Sequence, residues 1–423
     1  MPREPQVPRC NFCGRPRNEV KHLIESPDST HICNGCITAT SQAIDEAERK
    51  APGVKAPGPL KKPREITAFV DNYVIGQDAA KREIAIAVYE HYRRREVDQS
   101  KNGVLMLDGE AVEIEKSNIL LLGPSGSGKT HVARTIARLL DVPFYVGDAT
   151  KLTSAGYVGE DVESLLQGLL ADAQNDIEKA QWGIIFLDEF DKLARKAGYG
   201  ASGARDVTGE GVQQALLKLI EGGQVAVPRG MGSRAVSGMS HSDVVDTKNI
   251  LFICAGSFAG IEPVIERRLN KSTGLGFGKE HNKQHAKSDL YREVTVEDIE
   301  EFGLIPEIVG RLPVITSTLE LTEDELIRIL TEPKNAICKQ FRALYALDGI
   351  DLQFDPEALR AVAQKARKRS TGARALRAIL TEVLKPYSYE APDNLDISVI
   401  RITPEAVETP GNALVMRKGV GTA

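Results

Sequence analysis

The sequence predicts an α/β fold, a parallel sheet flanked by helices, with a cysteine-rich module before it and a small helical domain after it. Three features point there. Short, largely apolar runs (Ile119–Leu122, Gly183–Leu187 and Asn249–Cys254) alternate with longer segments of helical period, as buried parallel strands and crossover helices do. Four of the six cysteines fall within the first 36 residues. From about residue 319 the pattern is mainly helical, with one short late strand near Ile397–Ile402. At 423 residues the chain exceeds one core, and roughly 100–200 residues per domain gives about two to four domains.

In chain order, the cysteines come first. Cys10-x2-Cys13 is followed, after nineteen residues, by Cys33-x2-Cys36. Two such knuckles offer four thiolates, and four thiolates close a tetrahedral zinc sphere. A closed sphere leaves no position for chemistry, so the zinc is expected to be structural and, in so small a module, to drive folding. A redox dithiol needs only one CxxC and a thioredoxin-like setting. His22 and His31, between the knuckles, read as surface residues. The module is expected over residues 1–50, treble-cleft-like in class. Residues 51–63 hold four prolines, two glycines and three lysines, which makes 51–64 a semi-extended linker.

The α/β domain is expected over 65–318. Asp78–Tyr92 reads as a helix, Ile119–Leu122 as a buried strand and His131–Leu140 as the helix after it. Glu160–Ile177 reads as one helix, with Val162, Leu165, Leu166, Leu169, Leu170, Ala173 and Ile177 on one face. The small helical domain is expected over 319–410, and 411–423 as a disordered tail.

Gly123-Pro124-Ser125-Gly126-Ser127-Gly128-Lys129-Thr130 fits G-x4-G-K-[ST] between a strand and a helix. The glycines let backbone N–H groups converge on phosphates, and the helix N-terminus adds its own amides. Lys129 is expected to reach the β- and γ-phosphates of ATP, and Thr130 to coordinate Mg²⁺. Pro124 to His131 form the expected binding run. Past Lys129 by 59 residues, Ile184–Leu187 ends in Asp188-Glu189. Carboxylates at the C-terminal end of a parallel strand sit beside the phosphates. Asp188 is expected in the Mg²⁺ shell, and Glu189 as the base for the attacking water. Arg311, after Ile305-Pro306, reads either as a surface ion-pair residue or as an arginine supplied to a neighbouring site. Arg374, at a helix start, reads either as a helix-surface residue or as a nucleotide contact.

Composition excludes several classes. The chain has 54 basic and 59 acidic residues, net charge −5, with no basic stripe for nucleic acid. Residues 1–64 carry 11 basic and 7 acidic residues, too weak a bias for a nucleic-acid arm. No apolar run approaches the ~18 residues of a membrane span, and no apolar leader follows Met1. A cytoplasmic protein without disulfides is expected.

Together these motifs resemble the ClpX family of AAA+ ATPases over nearly the whole chain. The specific stretches are Asp71–Gln77, Gly156–Glu163, Gly209–Lys218 and Gly303–Glu307, beside the cysteine module and the phosphate loop. The resemblance implies an ATP-driven protein unfoldase working as a homohexamer, which passes substrates to a ClpP-type peptidase and takes substrates or adaptors through the zinc module. It implies that Val74, Ile75 and Gly76 line the adenine pocket, that Arg311 is an arginine finger and that Arg374 is a second sensor. Tyr157 and Val158, flanked by Gly156 and Gly159, would grip polypeptide by sequence-tolerant contact. Leu275, Gly276 and Phe277, on a glycine-rich polar loop, would dock the peptidase. Family members commonly have isoleucine where this chain has Leu275.

Two departures stand out. The family's Arg-Lys-His tripeptide at the pore entrance is missing from Pro228–His241, which offers Arg229 and Arg234. The strand ending at Ser257 lacks the Asn or Thr sensor of many AAA+ proteins, and no role is assigned there. The rival classes fit less well. A DNA channel would favour Lys and Arg over Tyr157-Val158. A self-contained protease would need a His-Glu-x-x-His motif, and Asn282 follows His281 instead. An adaptor scaffold alone leaves the ATPase motifs unused.

Overall fold

A computed structural model describes residues 8–26, 30–49, 60–98, 105–108, 110–112, 114–153, 160–194, 209–228, 242–272, 290–369, 371–394 and 396–417. The chain divides into two compact units, Met1–Gly58 and Pro59–Ala423.

The first unit is a small antiparallel pair, Leu23–Glu25 with His31–Cys33, followed by the helix Asn34–Arg49. Among residues 8–26 and 30–41, Cys10 and Cys33 are the buried ones. The thiols themselves occupy the place of a hydrophobic core.

The first helix of the second unit, Pro63–Asp71, starts inside the stretch expected to be linker. Proline is preorganised for a first helical turn, and Glu65 accepts the Lys62 amide at 2.9 Å. Five parallel strands form the main sheet in the order Val314–Ser317, Ile119–Leu122, Leu251–Gly256, Ile184–Asp188, Phe144–Asp148. Strand residues alternate between the two faces. Ile119, Leu121, Phe186 and Ile253 pack with Ile84, Val88, Val132 and Ile136 on one side. Leu120, Leu122, Leu187 and Phe252 pack with Leu165, Leu166, Leu216 and Ile220 on the other. The sheet is therefore buried on both faces, which is why its strands read as continuous apolar runs.

The segment expected as one helix over Glu160–Ile177 is broken. Glu160–Asp161 pairs with Leu152–Thr153, the helix runs Ser164–Asp172, and Ile177–Ala180 follows a turn. Gln174 and Asn175 have φ of 59° and 62°, and two successive left-handed residues end a right-handed helix.

A third apolar cluster serves the helices Glu323–Thr331, Ile337–Leu347, Pro356–Lys368 and Ala373–Glu390 with a three-stranded sheet. Ile397–Ile402 is its centre, parallel to Asp351–Phe354 and antiparallel to Leu414–Arg417. The tail expected to be disordered from 411 thus contributes a strand. Leu414, Val415 and Met416 find an open edge to pair with, a possibility no local pattern announces. Among the described residues no helix is long and apolar enough to cross a membrane.

Candidate active site and metal centre

The phosphate loop leaves Leu122 and enters the helix Lys129–Leu140. Gly123, Gly126 and Gly128 have φ of 140°, 77° and 101°, the region that favours glycine. Close approach adds a second constraint at two of them. A Cβ on Gly123 would overlap Thr318, and one on Gly126 would overlap the Thr371 carbonyl. The loop is thereby packed against the segments that enter the C-terminal sheet-and-helix region. The Ala373 amide donates to Gly126 O at 3.2 Å, and Ser127 Oγ lies 2.6 Å from Thr318 Oγ1.

Lys129 is buried, with Nζ donating to Gly123 O at 2.6 Å and to Pro124 O at 3.1 Å. Burial lowers its pKa to about 8; Asp188 opposes that shift and Arg374 adds to it. Thr130 Oγ1 lies 3.5 Å from Asp188 Oδ2, two oxygen donors of the type Mg²⁺ takes. The Glu189 amide donates to Asp188 Oδ1 at 2.9 Å. Glu189 itself is exposed and left-handed, with φ 56°. That conformation turns the chain sharply at the strand end, where a non-glycine residue is strained. Pro124 and Ser125 complete the loop, and His131 Nε2 lies 3.3 Å from Tyr73 O.

Val74 and Ile75 are buried beside Gly76, where a Cβ would overlap the Glu325 carboxylate. Gln77 fixes this segment by a two-way amide contact with Leu319, both bonds 2.8 Å. The predicted adenine residues therefore abut the junction between the α/β region and the C-terminal helices. Arg374 is exposed, with Nη1 3.4 Å from Ser125 Oγ, so it faces the phosphate loop of its own chain.

Arg311 lies elsewhere. Its carbonyl accepts from Asn118 Nδ2 at 3.1 Å, and Val314 pairs with Ile119, so it sits at the entry end of the phosphate-loop strand. Roughly 15 Å of extended chain separates that end from Gly123. Its Nε donates to Glu221 at 3.0 Å.

Ser257, to which the sequence assigns no role, lies in the site. Its amide and hydroxyl donate to the buried Asp191 at 3.1 and 2.9 Å, while Gly123 N donates to Gly256 O at 3.1 Å. Thr318 and Asn118 were equally silent in sequence. Their partners lie 102 to 196 residues away, and the residue types alone are ordinary.

In the N-terminal unit the Sγ atoms of Cys10, Cys13, Cys33 and Cys36 all lie within 4.8 Å of one another. Cys10 to Cys36 is 3.8 Å and Cys13 to Cys33 is 3.6 Å. A tetrahedron with ~2.3 Å Zn–S bonds has edges of about 3.8 Å. The donor set fits zinc. The knuckles are shaped by backbone contacts: Gly14 (φ 74°) donates to Cys10 O at 2.8 Å, and Cys33 N approaches Cys10 Sγ at 3.3 Å. Desolvation disfavours the Cys10 thiolate, yet amides at Cys13, Cys33 and Phe12 outweigh it and bring the pKa down to about 6.

Tyr157, Val158, Leu275, Gly276, Phe277, Arg229 and Arg234 lie outside the described residues.

Family models match three parts of the chain. They are the ClpX C4-type zinc finger over residues 8–46, the AAA domain (Cdc48 subfamily) over 114–315, and the C-terminal D2-small domain of ClpB protein over 321–393. The ATP-dependent Clp protease ATP-binding subunit ClpX of Treponema denticola is 45% identical over 387 residues, covering 90% of each chain.

Proposed function

We propose a function from one premise: the chain belongs to the ClpX family, as a ClpX-type ATP-binding subunit of an ATP-dependent Clp protease. Its AAA+ domain implies ATP hydrolysis, and its C4 module implies zinc. The finer reading is an ATP-driven unfoldase and translocase. It works as a homohexamer in the cytoplasm, threads protein substrates into a ClpP-type peptidase, has no peptidase activity of its own, and remodels proteins when the peptidase is absent. The proposed parts are a zinc module (1–50), a linker (51–64), a large ATPase domain (65–318) and a small domain (319–410).

Magnesium ATP, when bound, supplies the phosphoryl group and its counter-ion. Lys129 places positive charge at the loop, Thr130 and Asp188 hold the ion, and Glu189 takes the proton of the attacking water. Val74, Ile75 and Gly76 receive the base, with Pro124 to His131 lining the phosphates. Arg374 reports nucleotide to the C-terminal helices. Arg311 completes the site of the next subunit, because its own loop lies at the far end of the strand. Tyr157 and Val158 grip substrate, Leu275 to Phe277 dock the peptidase, and the zinc module receives substrates and adaptors.

The observation that best supports this reading is the pair Thr130 and Asp188, 3.5 Å apart beside a buried Lys129. The test is ATP-dependent loss of native fluorescence from a folded, tagged reporter without peptidase. Wild type should unfold it, and Tyr157→Ala should keep ATPase but lose unfolding. Intact ATPase with no unfolding over a panel of tags would sink the polypeptide-motor reading.

A further inference from the structure

We infer that the helix Glu210–Glu221 ties each nucleotide site to the arginine that the same chain offers its neighbour, with Gln213 as the positioning residue. The inference rests on the reading of Arg311 as acting across subunits. The Gly209–Lys218 stretch is one of the motifs that marks the family resemblance, and nothing in the nucleotide site uses it.

Gln213 is fully buried and both ends of its amide are engaged. Nε2 donates to Leu193 O at 2.7 Å, and Oε1 accepts from Ile305 N at 2.8 Å. A carbonyl only accepts and a backbone amide only donates, so the side chain fits in one orientation. Leu193 closes the turn Phe190–Leu193 that begins directly after Glu189. Ile305 opens the turn Pro306–Val309 that leads into Gly310 and Arg311. One rigid amide therefore joins the tail of the acidic strand to the root of the arginine segment.

The other end of the helix holds the arginine itself. Glu221 accepts from Arg311 Nε at 3.0 Å. Asn118 Nδ2 donates both to Ile220 O at 3.2 Å and to Arg311 O at 3.1 Å. Lys116 Nζ also donates to Ile220 O, at 3.0 Å. Between these ends Val212, Leu216, Leu219 and Ile220 are buried in the core under Leu120 and Leu122. A helix of 12 residues, about 18 Å long, is thus clamped at both ends and seated along its length. Displacement at Leu193 must be passed on through Gln213 and the helix, because a packed core does not absorb it.

The test uses mixed rings. Donor chains carry Glu189→Gln, so they do not hydrolyse ATP, and they are titrated into wild type while kcat and KM per wild-type chain are read. Donors with Arg311→Ala added should lower wild-type kcat several-fold beyond Glu189→Gln alone, with KM little changed. Donors with Gln213→Glu, which sets an acceptor against the Leu193 carbonyl, should do the same. Donors with Glu221→Ala form a second arm, since Glu221 is half-exposed and its loss spares the core. A donor that merely misfolds enters no ring and leaves wild type untouched, so loss in trans is not a folding defect. Extra loss from either the Gln213 or the Glu221 donor supports the inference. Loss with Arg311→Ala but none with either helix donor overturns it and leaves the arginine reading intact. No extra loss even with Arg311→Ala overturns the arginine reading itself, and the inference with it.

Discussion

In the N-terminal unit four candidate ligands come from 27 consecutive residues, Cys10 to Cys36, and the buried groups are two of the ligands themselves. Around the phosphate loop the groups come from positions between Val74 and Arg374, and they rest on a sheet buried on both faces. The difference is one of what holds the geometry. A small local site whose described buried groups are ligands depends on the ion for its fold, whereas a site gathered from distant elements depends on packing and tolerates an empty state. The two should therefore fail independently and by different amounts.

Metal removal is the largest break. Structural zinc in small modules contributes on the order of 10 kcal/mol. Cys10→Ser, or a strong chelator, should abolish zinc binding and the circular-dichroism signal of the module while leaving ATPase unchanged. A parallel fall in basal ATPase would end the claim of independence. Next comes the acid behind the sheet: Glu189→Gln should cut hydrolysis about 10²–10⁴-fold with nucleotide affinity retained, read by steady-state turnover beside equilibrium titration. Gly126→Ala is a subtler probe, because its Cβ would meet the Thr371 carbonyl and its φ is 77°. It should cost about 1–3 kcal/mol, seen as a lower Tm and about tenfold weaker nucleotide binding. An unchanged Tm would mean that neither the contact with Thr371 nor the left-handed backbone at Gly126 constrains the loop.

The smallest effect is a pH slope. Lys129 titrates near pH 8 in the free protein, and phosphate would raise that value, so binding takes up a proton above pH 8. Affinity for ATP should fall as pH rises from 8 toward 10, by up to about tenfold per unit, and be flat below 7. Equal affinity at pH 7 and 9.5 would show that Lys129 stays charged throughout.

Legibility in sequence followed the same divide. The cysteine spacing, the glycine run to Thr130 and Ile184–Asp188 are contiguous, and their chemistry is written locally. Phe144–Asp148 and Val314–Ser317 were missed as strands, since the first carries Gly147 and Asp148 and the second is four residues with two hydroxyls. Only pairing with a neighbouring strand makes them sheet. Of the face expected over Val162 to Ile177, the residues to Ala173 are buried and Ile177 is half-buried on a separate turn, because the breaks at Glu160 and Gln174 depend on turn geometry. The roles of Ser257, Thr318, Asn118 and Gln213 are not legible in sequence, even though Gln213 lies in the Gly209–Lys218 motif, because each gains meaning from a partner tens to hundreds of residues away.

The position of Arg311, at the entry end of the strand whose exit carries the phosphate loop, has a kinetic corollary. On the proposed reading, in which Arg311 serves the site of a neighbouring subunit, a lone chain is half of a reaction centre. Total ATPase should then rise approximately as the second power of protein concentration at high dilution and linearly once rings saturate, where activity per chain levels off. On dilution the activity should decay with the lifetime of the ring, at a rate indifferent to how tightly each chain holds ATP. Subunits newly made and still alone would carry nucleotide without consuming it, so that fuel is spent only where a complete motor exists to use it.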